Sequence, residues 1–136
     1  MFRTKKQIRE LLALVKKYNF NTPQGFWDLT IEQIQKAYNG IGADWQGKLP
    51  REIQTGLLSR FEAVSLVHDC TATYFNDHTK AGFKQWNKVY FYDNCTKQRI
   101  ACNKFWSWSR WHSYREACIL YGILKKFGWK AWKDAK

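Results

Sequence analysis

Apolar residues recur along this chain at the intervals typical of amphipathic helices. In the first such segment, Thr4 to Lys17, the apolar positions at helical spacing are Ile8, Leu11, Leu12 and Val15. Similar patterns predict helices over Ile31–Tyr38, Arg51–Ser59, Phe61–Phe75, Lys80–Asn94 and Ser109–Phe127. The chain has only 2 prolines, whereas a many-stranded β protein needs many turn-forming residues between its strands. We therefore expect an all-α fold, a single compact helical domain of about five helices spanning residues 1–136.

Turn and capping residues separate these helices. The pattern Thr30-x-x-Gln33 is a capping box that opens the second helix. Loops are predicted over Asn19–Leu29 and Ala43–Pro50, and a polar, basic connection over Thr96–Cys102. Gly128 is placed to cap the helix that ends at Phe127.

The longest apolar run that contains an ionisable pair is Phe61–Phe75, which carries His68 and Asp69. On a helix, His68 shares a stripe with Val64, Ala72 and Phe75 and faces the core. A neutral imidazole can be buried when its nitrogens find partners, whereas a carboxylate beside it needs a cation or several donors. The simplest structural alternative is a satisfied core histidine with Asp69 solvated at the helix surface.

A glycine pattern upstream offers such a cation. In Tyr38-Asn39-Gly40-Ile41-Gly42, two glycines one residue apart allow the backbone to turn and expose its carbonyls. Loop carbonyls combined with one carboxylate form a typical site for a hard cation such as calcium. The alternative is that Gly40 is a helix C-terminal cap, which explains Gly40 but not Gly42.

The ordered combination of this loop and a His-Asp helix resembles the secreted and viral phospholipase A2 superfamily, over residues 38–95. The resemblance implies a calcium-dependent lipid ester hydrolase. It implies that calcium is bound by the carbonyls of Tyr38, Gly40 and Gly42 and by the carboxylate of Asp69. It also implies that His68 is the general base that activates water.

The chain departs from that family at two supporting positions. The family places a tyrosine four residues after the histidine, where this chain has Ala72. The family also orients its histidine with an aspartate on the next long helix, where Asn87 is the nearest candidate, with Asp93 and Asp77 as alternatives. An asparagine can hold the imidazole tautomer but stabilises an imidazolium less well. The layout also resembles small hypothetical proteins encoded by bacteriophages, which implies a host-cytoplasm or virion location.

Charge separates the C-terminal third, residues 96–136, from the rest. The whole chain carries +12, and residues 96–136 contribute ten basic residues minus two acids, or +8. Five of the 8 tryptophans lie there too. The predicted helix Ser109–Phe127 is expected to turn one set of side chains toward the core: Trp111, Tyr114, Cys118, Tyr121 and Leu124.

The basic aromatic tail beyond that helix contains Trp129, Lys130, Trp132 and Lys133. Indole and ammonium groups suit an anionic phospholipid surface, and they equally suit single-stranded nucleic acid, where rings stack on bases and cations contact phosphates. Alternatively, the indoles fill core gaps and the cations form a solvated rim.

The four cysteines contain no Cys-x-x-Cys pair, so a zinc site is not expected. No segment has the pattern of a signal peptide or a membrane span. These features predict a cytoplasmic protein with reduced thiols.

Two functions from different classes follow from the sequence. One is the calcium-dependent, phospholipase A2-like hydrolase, with His68, Asn87 and Asp93 as its catalytic candidates. The other is a non-enzymatic basic protein that binds nucleic acid or an acidic protein partner.

Overall fold

The computed structural model describes residues 3–40, 61–102 and 108–134, with backbone alone at residues 39–40 and 108–110. Regular structure in these ranges is helical, and they contain no strand. The α-helices are α1 Lys5–Lys17, α2 Ile31–Gly40, α3 Glu62–Tyr74, α4 Lys80–Asn87, α5 Asp93–Cys102, α6 Trp108–Phe127 and α7 Trp129–Asp134. A 3₁₀ turn, Phe26–Asp28, precedes α2, and a π-helical segment, Lys88–Tyr92, joins α4 to α5. The all-α prediction is confirmed.

Capping boxes begin the first two helices. The Thr4 hydroxyl accepts a hydrogen bond from the Gln7 amide at 3.2 Å, and the Gln7 side chain accepts one from the Thr4 amide at 2.9 Å. Thr30 and Gln33 make the same reciprocal pair at 2.8 and 3.1 Å. Each pair satisfies N–H groups that a helix start leaves without intrahelical partners.

Helix α3 lies at the centre of the fold. Ten consecutive residues, Ala63 to Ala72, are buried on all sides of the helix. It packs against α1, α2, α4 and the π-helical segment. A helix that is mainly apolar around its whole circumference is stable only when other elements surround it.

A smaller aromatic cluster lies beside this core. Its buried members are Ala72, Phe83, Trp86 and Trp132, with Trp129 packed against them. Residues 129–133 were expected to form a surface tail, but they belong to the short helix α7, which folds back onto α4. The polar connection expected over Thr96–Cys102 is likewise helical, because those residues continue α5.

Helix α6 is rotated from the orientation predicted by its aromatic residues. Trp111 is 57% exposed, and Tyr114 is also exposed, although both were expected to face the core. The buried face instead carries small and aliphatic residues, namely Ser113, Ala117, Leu120 and Leu124. These residues allow close packing against the core, whereas the larger aromatic stripe lies at the surface beside α5.

Two further features concern membrane-spanning helices and the state of the cysteines. Within the described ranges, no helix combines the length and apolar character needed to cross a bilayer. All four cysteines are free thiols, and Cys70 and Cys95 are buried. The helix predicted over Arg51–Ser59, the loop over Ala43–Pro50 and Gly42 lie outside the described residues.

Gly128 sits where α6 meets α7, and the reason for glycine there is space rather than a left-handed backbone. A Cβ atom at Gly128 would lie 2.6 Å from the Leu124 carbonyl oxygen and 3.4 Å from the Phe83 ring. We expect Gly128→Ala to lower the free energy of unfolding by about 1–3 kcal/mol, because the Leu124 backbone cannot move aside easily. Urea denaturation followed by circular dichroism measures this change.

Gly122, inside α6, provides the control. A Cβ atom there would meet nothing within 4 Å. Gly122→Ala is therefore expected to raise stability by about 0.5–1 kcal/mol through helix propensity alone. Equal effects of the two substitutions would show that the contact at Gly128 does not matter.

Candidate functional site

His68 lies on α3 with its ring inside the core, 2% exposed. Its Nε2 atom is 3.1 Å from Oδ1 of Asn87, the last residue of α4. An amide oxygen can only accept, so this contact corresponds to the tautomer in which Nε2 carries the proton. Asn87 is thus the hydrogen-bond partner of His68, and the catalytic role predicted for the pair stays a prediction.

Aromatic rings enclose the imidazole. The His68 ring is parallel to the Trp86 ring within 2°, with 3.9 Å between centroids, and the Phe91 ring lies 5.3 Å away. Trp132 stacks on Trp86 in turn, at 5.0 Å. The Trp86 Nε1–H donates to the backbone carbonyl of His68 at 2.8 Å, which holds α4 against α3.

Burial controls the protonation of this histidine. Desolvation lowers the pKa of His68 to about 3, although the hydrogen bond to Asn87 acts in the opposite direction. The ring is therefore neutral near pH 7. A general base works best with a pKa near the working pH and with access to its substrate, and His68 has neither property.

Asp69 is buried as well, at 3% exposure, rather than solvated at the helix surface. Desolvation raises the pKa of its carboxyl well above the ordinary value. Tyr38 is near enough that the charges of Glu62 and Asp69, after burial itself, raise the pKa of the phenol. The Tyr38 phenol thus lies within electrostatic range of Asp69, whereas the predicted calcium ligand is the Tyr38 backbone carbonyl.

The rest of the predicted calcium site is not assembled by the described residues. Helix α2 continues through Tyr38 and Gly40, whereas the prediction ended it at Tyr38 and required a turned loop from there. A helical backbone directs its carbonyls along the helix axis rather than toward a common centre. Residues 3–40, 61–102 and 108–134 contain no group of three or more His, Cys, Asp or Glu side chains placed to hold a metal. The described part of the predicted site therefore fits calcium poorly, and the calcium site stays a prediction.

The alternative histidine partners have other roles. Asp93 forms an ion pair with Lys88 at a partly exposed position. Asp77 accepts hydrogen bonds from the Thr79 amide and hydroxyl, at 3.0 and 2.8 Å, just before α4. The Asn87 Nδ2 atom is buried and has no hydrogen-bond partner among the described residues.

The predicted surface-binding residues of α7 are divided between surface and core. Lys130 and Lys133 are exposed, and Trp129 is partly buried with the Lys80 ammonium 3.9 Å from its ring centroid. Trp132 cannot contact a surface, because it is 2% exposed and its Nε1–H donates to the Thr79 carbonyl at 2.9 Å. Including Trp132 in a surface tail was wrong, since its ring stacks on Trp86 within the core.

A band of exposed and partly buried rings and cations lies along α5, α6 and the π-helical segment before α5. Trp111 and Tyr114 stack with 6.1 Å between centroids, and the Arg99 guanidinium lies 4.9 Å from the Tyr114 ring. Farther along, the Tyr92 and Tyr121 rings are 4.8 Å apart.

Two lysines complete this second pair of rings. Lys125 lies 4.5 Å from the Tyr121 ring, and Lys88 lies 5.2 Å from the Tyr92 ring. We name this surface the α5/α6 band; its members are Lys88, Tyr92, Arg99, Trp111, Tyr114, Tyr121 and Lys125.

Three members of this band, Trp111, Tyr114 and Tyr121, were expected to face the core. The signal that could have located the band is the competing stripe of α6, in which Ala117, Leu120 and Leu124 also recur at helical spacing. When two stripes compete, the one without cations beside its rings is the better core candidate.

The buried histidine generates a test of stability against pH. His68 titrates near pH 6.5 when unfolded and near pH 3 when folded, so the unfolded chain binds the extra proton between these values. Above about pH 6.5 the free energy of unfolding is not reduced by protonation of His68 in the unfolded chain. It decreases as the pH falls below that value. Compared with His68→Gln, wild type should lose up to about 2 kcal/mol more between pH 7 and pH 5. Guanidinium denaturation of both proteins at pH 7 and pH 5 measures this difference in the free energy of unfolding.

Asp69 supplies a control of opposite sign. Its carboxyl has a raised pKa in the folded state, so its contribution to stability is lost as the pH rises. Compared with Asp69→Asn, wild type should gain stability when the pH falls over the same range. Parallel pH profiles for wild type and His68→Gln would contradict the neutral, buried imidazole.

Comparison with known proteins places the chain in no family. A scan against protein-family models gave no match, and neither curated proteins nor solved structures include a significant relative.

Proposed function

We propose that the protein is a non-enzymatic binding protein for single-stranded nucleic acid, and that the α5/α6 band is its contact surface. The observation that carries the proposal is the pairing of aromatic rings with cations along one surface. Arg99 lies against Tyr114 and Lys125 against Tyr121. Lys88 lies against Tyr92 but is also ion-paired with Asp93, so Arg99 and Lys125 are the cations that the proposal uses. Bases stack on exposed rings while neighbouring cations contact the phosphates between them.

The geometry of the band favours a single strand over a duplex. Trp111 is 57% exposed, and its ring and that of Tyr114 are inclined by only 27°. Nearly parallel, accessible rings offer flat platforms to unpaired bases. The bases of a duplex are already stacked on one another and have no face free for such rings.

Overall charge supports the same partner. The chain carries +12, of which +8 comes from residues 96–136, where ten basic residues face two acids. A charge excess of this size attracts a polyphosphate backbone from a distance and makes its binding sensitive to salt. Arg115, Lys126 and Lys130 add exposed cations on α6 and α7.

The calcium-dependent hydrolase is the second candidate, and the hydrogen bond between His68 and Asn87 is the observation that favours it. Its weakness is access. The imidazole is buried beneath Trp86 and Phe91, and its pKa is about 3. A base in that environment neither contacts bulk substrate nor holds a proton near neutral pH.

The first test measures binding of a fluorescein-labelled oligothymidylate by anisotropy at several salt concentrations. Wild type should bind with an affinity that falls as salt rises, with a slope of about −0.7 for each phosphate neutralised. Trp111→Ala and Tyr114→Ala should each weaken binding by about 1–3 kcal/mol, because each removes a stacking platform.

Charge controls complete this test. Lys125→Gln should weaken binding and reduce the salt slope, whereas Lys6→Gln, the same change at an exposed position of α1, should do neither. Undiminished binding by both aromatic variants would overturn the proposal. Binding to phosphatidylserine vesicles or polyglutamate that exceeds oligonucleotide binding would assign the surface to lipid or to an acidic protein.

The second test addresses the hydrolase. Calcium is titrated by calorimetry into wild type and Asp69→Asn, and fatty-acid release from mixed phospholipid vesicles is measured with calcium present. We expect no heat of calcium binding that is lost in Asp69→Asn. We also expect no fatty-acid release, because the imidazole is enclosed. Micromolar-to-millimolar binding that is lost in Asp69→Asn, accompanied by fatty-acid release, would favour the hydrolase instead.

A further inference from the structure

A surface cavity of about 400 Å³ lies between the end of α1 and the 3₁₀ turn, and neither His68 nor any member of the α5/α6 band lines it. Its lining residues are Val15, Lys16, Asn19, Phe20, Thr22 and Trp27. Cavities that bind small molecules typically measure about 300–1,000 Å³. This one is therefore large enough for one compact ligand.

The wall of the cavity is an exposed tryptophan held in place. Trp27 is 48% exposed, and the ring of buried Phe26 contacts it edge to face at 5.0 Å. The 3₁₀ turn that carries both residues follows Gly25, whose φ of 92° suits glycine. A rigid, half-exposed indole beside a cavity provides a stacking surface at little cost in conformational entropy.

Cations border the same space. The Lys16 ammonium lies 5.0 Å from the Trp27 ring. Lys97 donates to the Asn19 carbonyl at 2.7 Å and to the Asn21 side-chain oxygen at 3.0 Å. Both of these acceptors are neutral, so they leave the positive charge of Lys97 in place beside the cavity.

The end of α1 does not oppose an anion here as a bare helix C-terminus would. Backbone N–H groups of residues 18, 19 and 20 donate to the carbonyls of Leu14, Lys16 and Val15. These bonds occupy carbonyls that would otherwise present negative partial charge at the helix end. Asp28 is exposed in the neighbouring turn but does not line the cavity.

We propose that this cavity is a binding site for a purine mononucleotide. The base stacks on Trp27 over the apolar floor formed by Val15 and Phe20, both buried. Asn19 and Thr22 at the rim offer donors and acceptors to the edge of the base. The phosphate contacts the Lys16 ammonium. A purely apolar ligand would leave these polar groups without partners, and inorganic phosphate would leave the indole unused.

The inference is independent of the proposed single-strand binding. The cavity uses the end of α1 and the 3₁₀ turn, whereas the band uses α5 and α6. A protein that fails to bind oligonucleotides can still bind a mononucleotide here, and the reverse also holds.

The experiment titrates adenosine 5′-monophosphate, adenosine and inorganic phosphate separately into the full chain by calorimetry. A parallel NMR titration follows the indole N–H of Trp27. We expect saturable binding of the monophosphate, weaker binding of adenosine and no comparable binding of phosphate alone. Trp27→Leu should weaken monophosphate binding at least tenfold. Lys16→Gln should weaken the monophosphate but leave adenosine unchanged.

Phe127→Leu is the matched control, because it removes an exposed aromatic ring that lies outside both the cavity and the α5/α6 band. It should leave monophosphate binding unchanged. The proposal would be overturned if phosphate bound as tightly as the monophosphate, or if the Trp27 indole signal did not move at saturation. The NMR measurement is made on wild type, so it does not depend on whether any variant folds. Oligonucleotide binding that is lost in Trp27→Leu while free monophosphate fails to bind would assign the cavity to a base within a strand instead.

Discussion

Helix α3 is buried on every side, and a helix in that position can carry an imidazole only if other elements supply its partners. The partners come from one neighbouring helix, where Asn87 accepts from the ring and Trp86 covers its face. Trp132 then covers Trp86. The contacts of one buried imidazole and its covering rings therefore link α3, α4 and α7.

The π-helical segment Lys88–Tyr92 lies where the long helical stretch passes from one partner to another. Before it, Trp86 and Asn87 face α3; after it, Arg99 faces α6. Widened turns of this type change the direction of the side chains that follow, and they are frequent at functional sites. Here the change brings Tyr92 beside Tyr121 and so helps to build the exposed band.

Sequence patterns predicted most of the helices, the capping box at Thr30 and Asn87 as the nearest candidate partner of His68, because local spacing and hydrogen-bonding capacity are visible in the chain. The capping box at Thr4 was not predicted. The patterns did not predict the rotation of α6, since Trp111 and Tyr114 count as apolar in any periodicity although they lie at the surface. Nor could they place Trp132, whose partner Trp86 is distant in sequence. The cavity beside Trp27 also escaped prediction, because it forms between a helix end and a turn.

The position of α7 has a consequence for synthesis. Trp86 and the histidine that it covers leave the ribosome before Trp132, which completes the stack. At about 5–20 residues per second, that interval is on the order of several seconds. During it the nascent chain exposes a large aromatic face, and Asn76 and His78, which bind the backbone of α7, have no partner there.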